Sequence, residues 1–313
     1  MGGRSVRAAL VDGTGAILFE VARPTPVRTR DPEAVLSVIV EVGRAAEQAA
    51  RTADVSVAGF GFGVPTYVLG EDWLLTNCHN VPSLEGMELR PPLAATFGES
   101  IACDMDTNAA TMGEVYLGRA KGCRRAVVAI LGTGISFGVA IDQRLLRYTS
   151  GTAGDLGHLV VDESSPVRCM CGGRGCLEAL ASAGGIERRA LDMLRDSGPG
   201  ASVPRLGREG PTFSDIVQAA RGGDDLAAGV LREAGRHLGV ALASTINVFS
   251  PRLILVGGGV AEAGELLLRD ARRTARQLAS PYHLSTLVAI EQCGLRSKAG
   301  VVGAASMMLF GQA

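Results

Sequence analysis

Aromatic side chains are scarce in this 313-residue chain, at 4% of residues, so rings are not the main filling of its interior. An excess of one charge is also missing. The formal net charge is −1, which leaves no electrostatic footprint for nucleic acid or a membrane surface. No stretch of about 18 uninterrupted apolar residues occurs, which excludes a membrane-spanning helix. No basic-then-apolar leader precedes a cleavage site, so a cytoplasmic protein is expected. What the chain does have is 47% hydrophobic residues, mostly Ala, Val and Leu, and 42 glycines. That mixture suggests α/β architecture with many tight turns, in a chain long enough for two domains.

Three of the seven cysteines lie within eight residues, at Cys169, Cys171 and Cys176, and His158 stands just upstream. Three thiolates and one imidazole form a closed tetrahedral zinc set. Gly172, Gly173 and Gly175 allow the loop to fold back so that the sulfurs converge. A disulfide among three cysteines leaves one over, and nothing marks the chain as secreted. Buried free thiols are the remaining alternative. The other cysteines read as scattered buried thiols.

The whole segment Gly157 to Ser182 resembles the signature of the ROK family (repressors, open reading frames and sugar kinases). It carries the Gly-His, Cys-x-Cys-Gly-x-x-Gly-Cys and Leu-Glu elements in order. The resemblance implies a duplicated ribonuclease-H-like fold of the actin-like ATPase and hexokinase superfamily, with a structural zinc loop. It implies a small lobe of residues 1–109 joined by a closing helix at 298–313, and a large lobe of residues 110–297. It also implies ATP and Mg²⁺ as cofactors, a sugar substrate, and a homo-oligomer, dimer or tetramer.

Weaker matches run along the chain. Gly2 and Gly3 match part of a phosphate loop whose next two residues are replaced by Arg4 and Ser5. The acid of that loop falls just before Met1, so the true start is expected upstream. Val6 to Gly13 and Thr14 to Ala22 read as two strands joined by an Asp-Gly-Thr-Gly turn. Asp31-Pro32 opens a helix ending near Arg51, and Val55 to Gly63 reads as a strand. Thr66-Tyr67 replaces part of a Pro-rich sugar loop, and Asn80 matches a sugar-bonding Asn. As residues alone, Asn80 is equally an ordinary turn asparagine.

Cys103 to Ala110 resembles Glu-Asn-Asp-x-Asn-Ala-Ala, which makes Asp106 the expected catalytic base. An Asp at a helix N-terminus is held ionised and can take the proton of an attacking hydroxyl. Read without the resemblance, Asp104 and Asp106 are only helix caps. Met105 stands where kinases of the family carry a sugar-bonding Asn, and a thioether cannot donate. Gly132, Thr133 and Gly134 match a second phosphate loop, and Gly257, Gly258 and Gly259 match the adenosine loop; both turns offer backbone amides. Asp155 replaces a sugar-contacting Glu after the Gly151 to Gly154 segment. Glu178 matches a second sugar carboxylate, and His158 in the family both binds zinc and reaches the sugar.

A helix from Glu178 to about Arg195, a loop from Ser197 to Pro211, a short helix capped at Thr212 and a long one from Asp224 to Phe249 complete the large lobe. Strands are expected at 252–256 and 286–290. The expected activity is phosphate transfer to the primary hydroxyl of a hexose-like substrate. Met105 points to a modified hexose, such as a kanosamine-like amino sugar in an antibiotic pathway. Plain glucose and a C7-cyclitol are alternatives, as is a non-catalytic sugar-responsive regulator.

Overall fold

The computed structural model describes residues 1–147, 155–196 and 210–310. The chain forms two compact units, Met1–Val128 with Gly138–Gly154 and Cys293–Ala313, and Ala129–Phe137 with Asp155–Gln292.

The first unit opens with an antiparallel hairpin, β1 (Ser5–Val11) and β2 (Ile17–Pro24). Asp12 closes its turn by accepting from Thr14 N at 2.8 Å and Ala16 N at 2.9 Å. Helix α1 (Pro32–Thr52) begins as the sequence predicts. Asp31 caps it by accepting from Glu33 N at 3.0 Å. Its apolar stripe of Val35, Leu36, Ile39, Val42 and Ala46 is buried in the core of this unit.

Strand β3 (Phe60–Val64) is shorter than expected, since Val55 to Gly59 form no strand. Val55 and Val57 are exposed, so the apolar run there had no core to enter. A small hairpin follows, β4 (Tyr67–Leu69) and β5 (Leu74–Thr76), then helix α2 (Arg90–Phe97). Sequence reasoning placed none of these three. Strand β6 (Ile101–Met105) pairs parallel with β3 and leads straight into α3 (Asp106–Tyr116). Helix α3 is buried on nearly every side, so it has no amphipathic stripe to read.

Strands β7 (Arg125–Leu131) and β8 (Ile135–Ile141) flank the Gly132-Thr133-Gly134 turn as predicted. With β9 (Arg144–Leu145), β10 (Leu253–Gly257) and β11 (Ala289–Gln292) they form one sheet in the order β11-β10-β7-β8-β9. In the second unit the expected 178–195 helix is two helices, α4 (Leu177–Ala181) and α5 (Ala183–Asp196). The break falls at Ser182, whose ψ of 168° is extended. The loop predicted at 197–211 lies almost wholly outside the described residues.

Helix α6 (Phe213–Arg221) starts in a capping box of Thr212 and Asp215. The long α7 (Asp225–Phe249) packs on α8 (Glu265–Leu278) through bare glycine backbone. A Cβ at Gly235 would lie 2.4 Å from Leu267 O. The turn after β10 enters a 3₁₀ segment, Gly259–Ala263, rather than a helix directly. Gly264, at φ +61°, then redirects the chain into α8. The short α9 (Pro281–Leu284) precedes β11, which lies three residues later than expected. The closing helix α10 (Ala299–Phe310) belongs to the first unit and packs against α3. No helix among the described residues is long and apolar enough to cross a membrane.

Candidate functional site

In the first unit the candidates gather where β6 becomes α3. Asp106 is the first residue of α3, and Met105 is its N-cap. The parallel pairing of Gly63 with Asp104 and Val64 with Met105 sets this junction beside the end of β3. The Met1 amino group donates to Gly63 O at 2.6 Å. Gly3 approaches Asn80, where an added Cβ would lie 3.4 Å from Asn80 O. Gly2 N donates to Ser5 O at 2.9 Å, and Gly2 O accepts from Thr25 Oγ1 at 2.6 Å. Gly2, Gly3 and Asn80 therefore lie on loops beside the end of β3, in one unit.

The two acids at this junction differ. Asp104 is buried and fully engaged: its Oδ1 accepts from Met105 N at 2.7 Å and Asn108 Nδ2 at 2.8 Å, and its Oδ2 pairs with Arg147. Asp106 has a weak hydroxyl contact from Thr107 at 3.3 Å. Burial pushes its carboxyl above the usual carboxylate range. The amino-terminal charge and the Thr107 amide pull the other way. The helix N-terminus was expected to hold Asp106 ionised; burial is the larger influence and acts in the opposite sense. The sequence marked Asp104 only as a cap and Arg147 not at all. Their pairing spans 43 residues and left no local signal.

In the second unit two glycine turns meet. A Cβ at Gly258 (φ +84°) would lie 2.2 Å from Leu131 O, so only bare backbone fits there. That approach sets Gly257, Gly258 and Gly259 against the start of the Gly132-Thr133-Gly134 turn. Gly259 has open space around it. Gly132 N donates to Gly134 O at 2.9 Å, and Thr133 is exposed at the tip. Glu178, in the first turn of α4, accepts from Ile135 N at 2.9 Å through Oε2. A Cβ at Gly134 would lie 2.8 Å from that same oxygen. Glu178 thus braces the glycine turn, a role its helix position did not reveal.

The cysteine loop leaves this region through Gly157, whose Cβ would fall 1.9 Å from Ile135 O. His158, Cys169, Cys171 and Cys176 converge, with one donor atom from each inside 4.8 Å of the others. His158 Nδ1 lies 3.3 Å from Cys169 Sγ, and Cys171 Sγ lies 3.7 Å from Cys176 Sγ. Sulfurs at tetrahedral angles about 2.3 Å from one zinc stand roughly 3.8 Å apart. A disulfide needs about 2.05 Å. The donor set and its spacing therefore fit zinc and not a crosslink. Burial pushes the Cys176 thiol up to about 12. The second ring nitrogen of His158 lies 3.6 Å from Asp155 Oδ2, the kind of outer carboxylate that orients a ligand histidine. Residues Gly151 to Gly154, just before Asp155, lie outside the described residues.

The ROK family profile matches residues 1–310. A glucokinase of Thermotoga maritima is 31% identical over 310 residues, covering 98% of this chain and 95% of that protein. Among solved structures, a ROK family glucokinase from Streptomyces griseus in complex with glucose and AMPPNP is 29% identical, with a TM-score of 0.80 over 98% of this chain and 96% of that one. A ROK family transcriptional regulator, a homologue of the Escherichia coli MLC protein, is 25% identical with a TM-score of 0.82, covering 98% of this chain and 76% of that chain. The fold is that of the ROK sugar kinases within the actin-like ATPase and hexokinase superfamily. The chain belongs to the ROK family and, within it, is similar to the glucokinases.

Proposed function

We propose that the chain is an ATP-dependent sugar kinase that phosphorylates the primary hydroxyl of a hexose-like substrate. The observation that carries this reading is Asp106, placed at the first position of α3 and held there by the braced Asp104. As base it accepts the hydroxyl proton while the oxygen attacks the terminal phosphate. Asn80, Asp155, His158 and Glu178 position the sugar in this reading. Gly2, Gly3, Gly132, Thr133, Gly134 and Gly257 to Gly259 hold the nucleotide. Mg²⁺, when bound, would neutralise phosphate charge and would need few protein ligands.

His158, Cys169, Cys171 and Cys176 would hold a zinc ion, which would lock the loop that carries His158. A lobe boundary near residue 109, with 298–313 returning to the small lobe, a cytoplasmic location and a dimer or tetramer are proposed on the same footing.

Met105 narrows the substrate. A thioether in the place of an amide offers no donor to a ring hydroxyl. The favoured substrate is a modified hexose, such as a kanosamine-like amino sugar in a biosynthetic pathway, and a C7-cyclitol is the neighbouring option. Glucose itself is favoured by the similarity to the glucokinases. A sugar-responsive regulator is the other reading, supported by the likeness to the MLC homologue.

The deciding experiment is sugar-dependent ADP release with ATP and Mg²⁺. The panel is glucose, mannose, N-acetylhexosamines, kanosamine and a C7-cyclitol. Turnover on a modified sugar with little on glucose supports the Met105 argument. Strong glucose turnover removes it. Sugar binding with no turnover on any member favours the regulator.

A further inference from the structure

Helix α7 carries Arg232 and Arg236 one turn apart, and α8 carries Arg269 and Arg273 one turn apart. Like charges at this spacing repel along each helix. The close glycine packing of α7 on α8 turns both pairs toward one cleft of about 480 Å³. Gly229 forms part of its wall without a side chain, and only Arg232 Nη2, at 3.8 Å, comes near.

Two carboxylates line the cleft, Glu233 and Asp270. Neither balances the α7 pair. Both oxygens of Glu233 accept from Arg189 Nε at 3.0 Å, and Arg189 is not part of the lining. Asp270, with 2% of its side chain exposed, pairs with Arg273 and lies 3.9 Å from Arg269 Nε. It therefore anchors the α8 pair. Arg232 and Arg236 make no hydrogen bond or ion pair among the described residues. The cleft thus holds four guanidinium groups against two carboxylates, each already paired with an arginine, and Asp270 Oδ2 keeps no hydrogen-bond partner.

We propose that this cleft binds a small phosphate-bearing anion, gripped by Arg232 and Arg236 from α7 and by Arg269 and Arg273 from α8. Guanidinium forks match phosphate oxygens in pairs, and their weak hydration makes the exchange from water favourable. The cleft volume is in the range of small-molecule sites. It is built from α5, α7 and α8 alone and shares no residue with the glycine turns, so the inference stands apart from the kinase reading. The ligand is a free phosphate chain or a phosphorylated sugar, since both present the same group.

The test is calorimetric titration of the full chain with inorganic phosphate, tripolyphosphate and glucose 6-phosphate. AMPPNP is kept saturating so that the nucleotide turns are filled. The same titrations are run on Arg232→Gln/Arg236→Gln and on Arg124→Gln as a charge control. At least one anion binds the parent, and its affinity falls about tenfold or more in the double variant, as expected for lost charge-assisted hydrogen bonds. The control keeps parental affinity, and all three proteins melt alike. The arm that binds most tightly identifies the source of the phosphate. No binding below about 1 mM, or unchanged binding in the double variant, overturns the proposal. So does loss of self-association in the double variant without anion binding in the parent, which would make the cleft a contact between copies.

Discussion

Gly303 and Gly300 lie three residues apart on α10 and should respond to alanine in opposite directions. At Gly303 an added Cβ would stand 2.1 Å from Ala109 O and 2.4 Å from Ala109 C, both backbone atoms of α3. A tolerable carbon–oxygen contact is more than 3 Å, so α10 and α3 must part by roughly 1 Å, and a gap of that size forfeits a quarter to a half of each contact it opens. Helix α10 cannot simply recede, because on its other side a Cβ at Gly61 of β3 would already lie 1.9 Å from Ala304 O. Overpacking of this kind costs about 1–3 kcal/mol, against about 1 kcal/mol gained in helix propensity. A net loss of up to about 2 kcal/mol lowers Tm by up to roughly 4–8 °C in a unit of this size. Gly300 has nothing within 4 Å, so Gly300→Ala keeps the propensity gain and melts at or slightly above the parent. Thermal melts by circular dichroism decide it. Gly303→Ala melting with the parent, or Gly300→Ala melting as low as Gly303→Ala, would refute the reasoning. In the kinase reading Gly303→Ala also lowers kcat by about 100-fold, since α3 carries Asp106 and a 1 Å misplacement is enough.

Asp106→Asn should remove about 10²–10⁴-fold of kcat while sugar binding measured by calorimetry persists. The ionised form is the base and burial favours the protonated form, so kcat/KM falls as pH drops through a pKa above the ordinary carboxylate value near 3.9, and Asp106→Asn lacks that limb. Metal analysis should find one zinc per chain. Cys171→Ser or strong chelation should then lower Tm and abolish turnover together, and a chain free of zinc at full stability would sink the zinc reading. Met105→Asn should raise kcat/KM for glucose about 3- to 10-fold, the worth of one hydrogen bond, with no gain for a sugar modified at the facing position.

The parts of the fold that the sequence disclosed are those with local causes. Helix α1 has its Asp31 cap and apolar stripe, α6 has its capping box, and the two glycine turns sit between runs of buried residues. What stayed hidden depends on distant partners. Helix α3 is buried all round, and the hairpin of β4 and β5 has strands of three residues. The split between α4 and α5 falls at the extended Ser182, beyond which bare Gly185 packs close to Ala179 O. The same division runs through the site. The four metal-type donors were legible because three of them crowd into one short loop. The Arg147–Asp104 pair and the Glu178 brace on Ile135 N were not, because each joins residues 43 positions apart.

Fold likeness does not separate kinase from regulator in this family, because the chain superposes about as well on one as on the other. In the kinase reading the acids at the start of α3 carry the difference. Asp104 is compensated on every side, by two amides and a guanidinium, and such a residue is explained by structure alone. Asp106, two residues on, is half-buried, with a weak hydroxyl contact and an amide from Thr107 and the charge of the Met1 amino group beside it. An ionisable group held in that condition costs stability that an asparagine would not. A protein that only senses sugar gains nothing from it, since an amide can report a hydroxyl as well as a carboxylate can. A protein that must take a proton from that hydroxyl needs the carboxylate, and needs its affinity for protons raised. In the kinase reading, the direction in which burial moves Asp106 suits a group that must take that proton. Asp106→Asn accordingly separates the readings: a kinase loses turnover and keeps its sugar, whereas a sensor changes in neither respect.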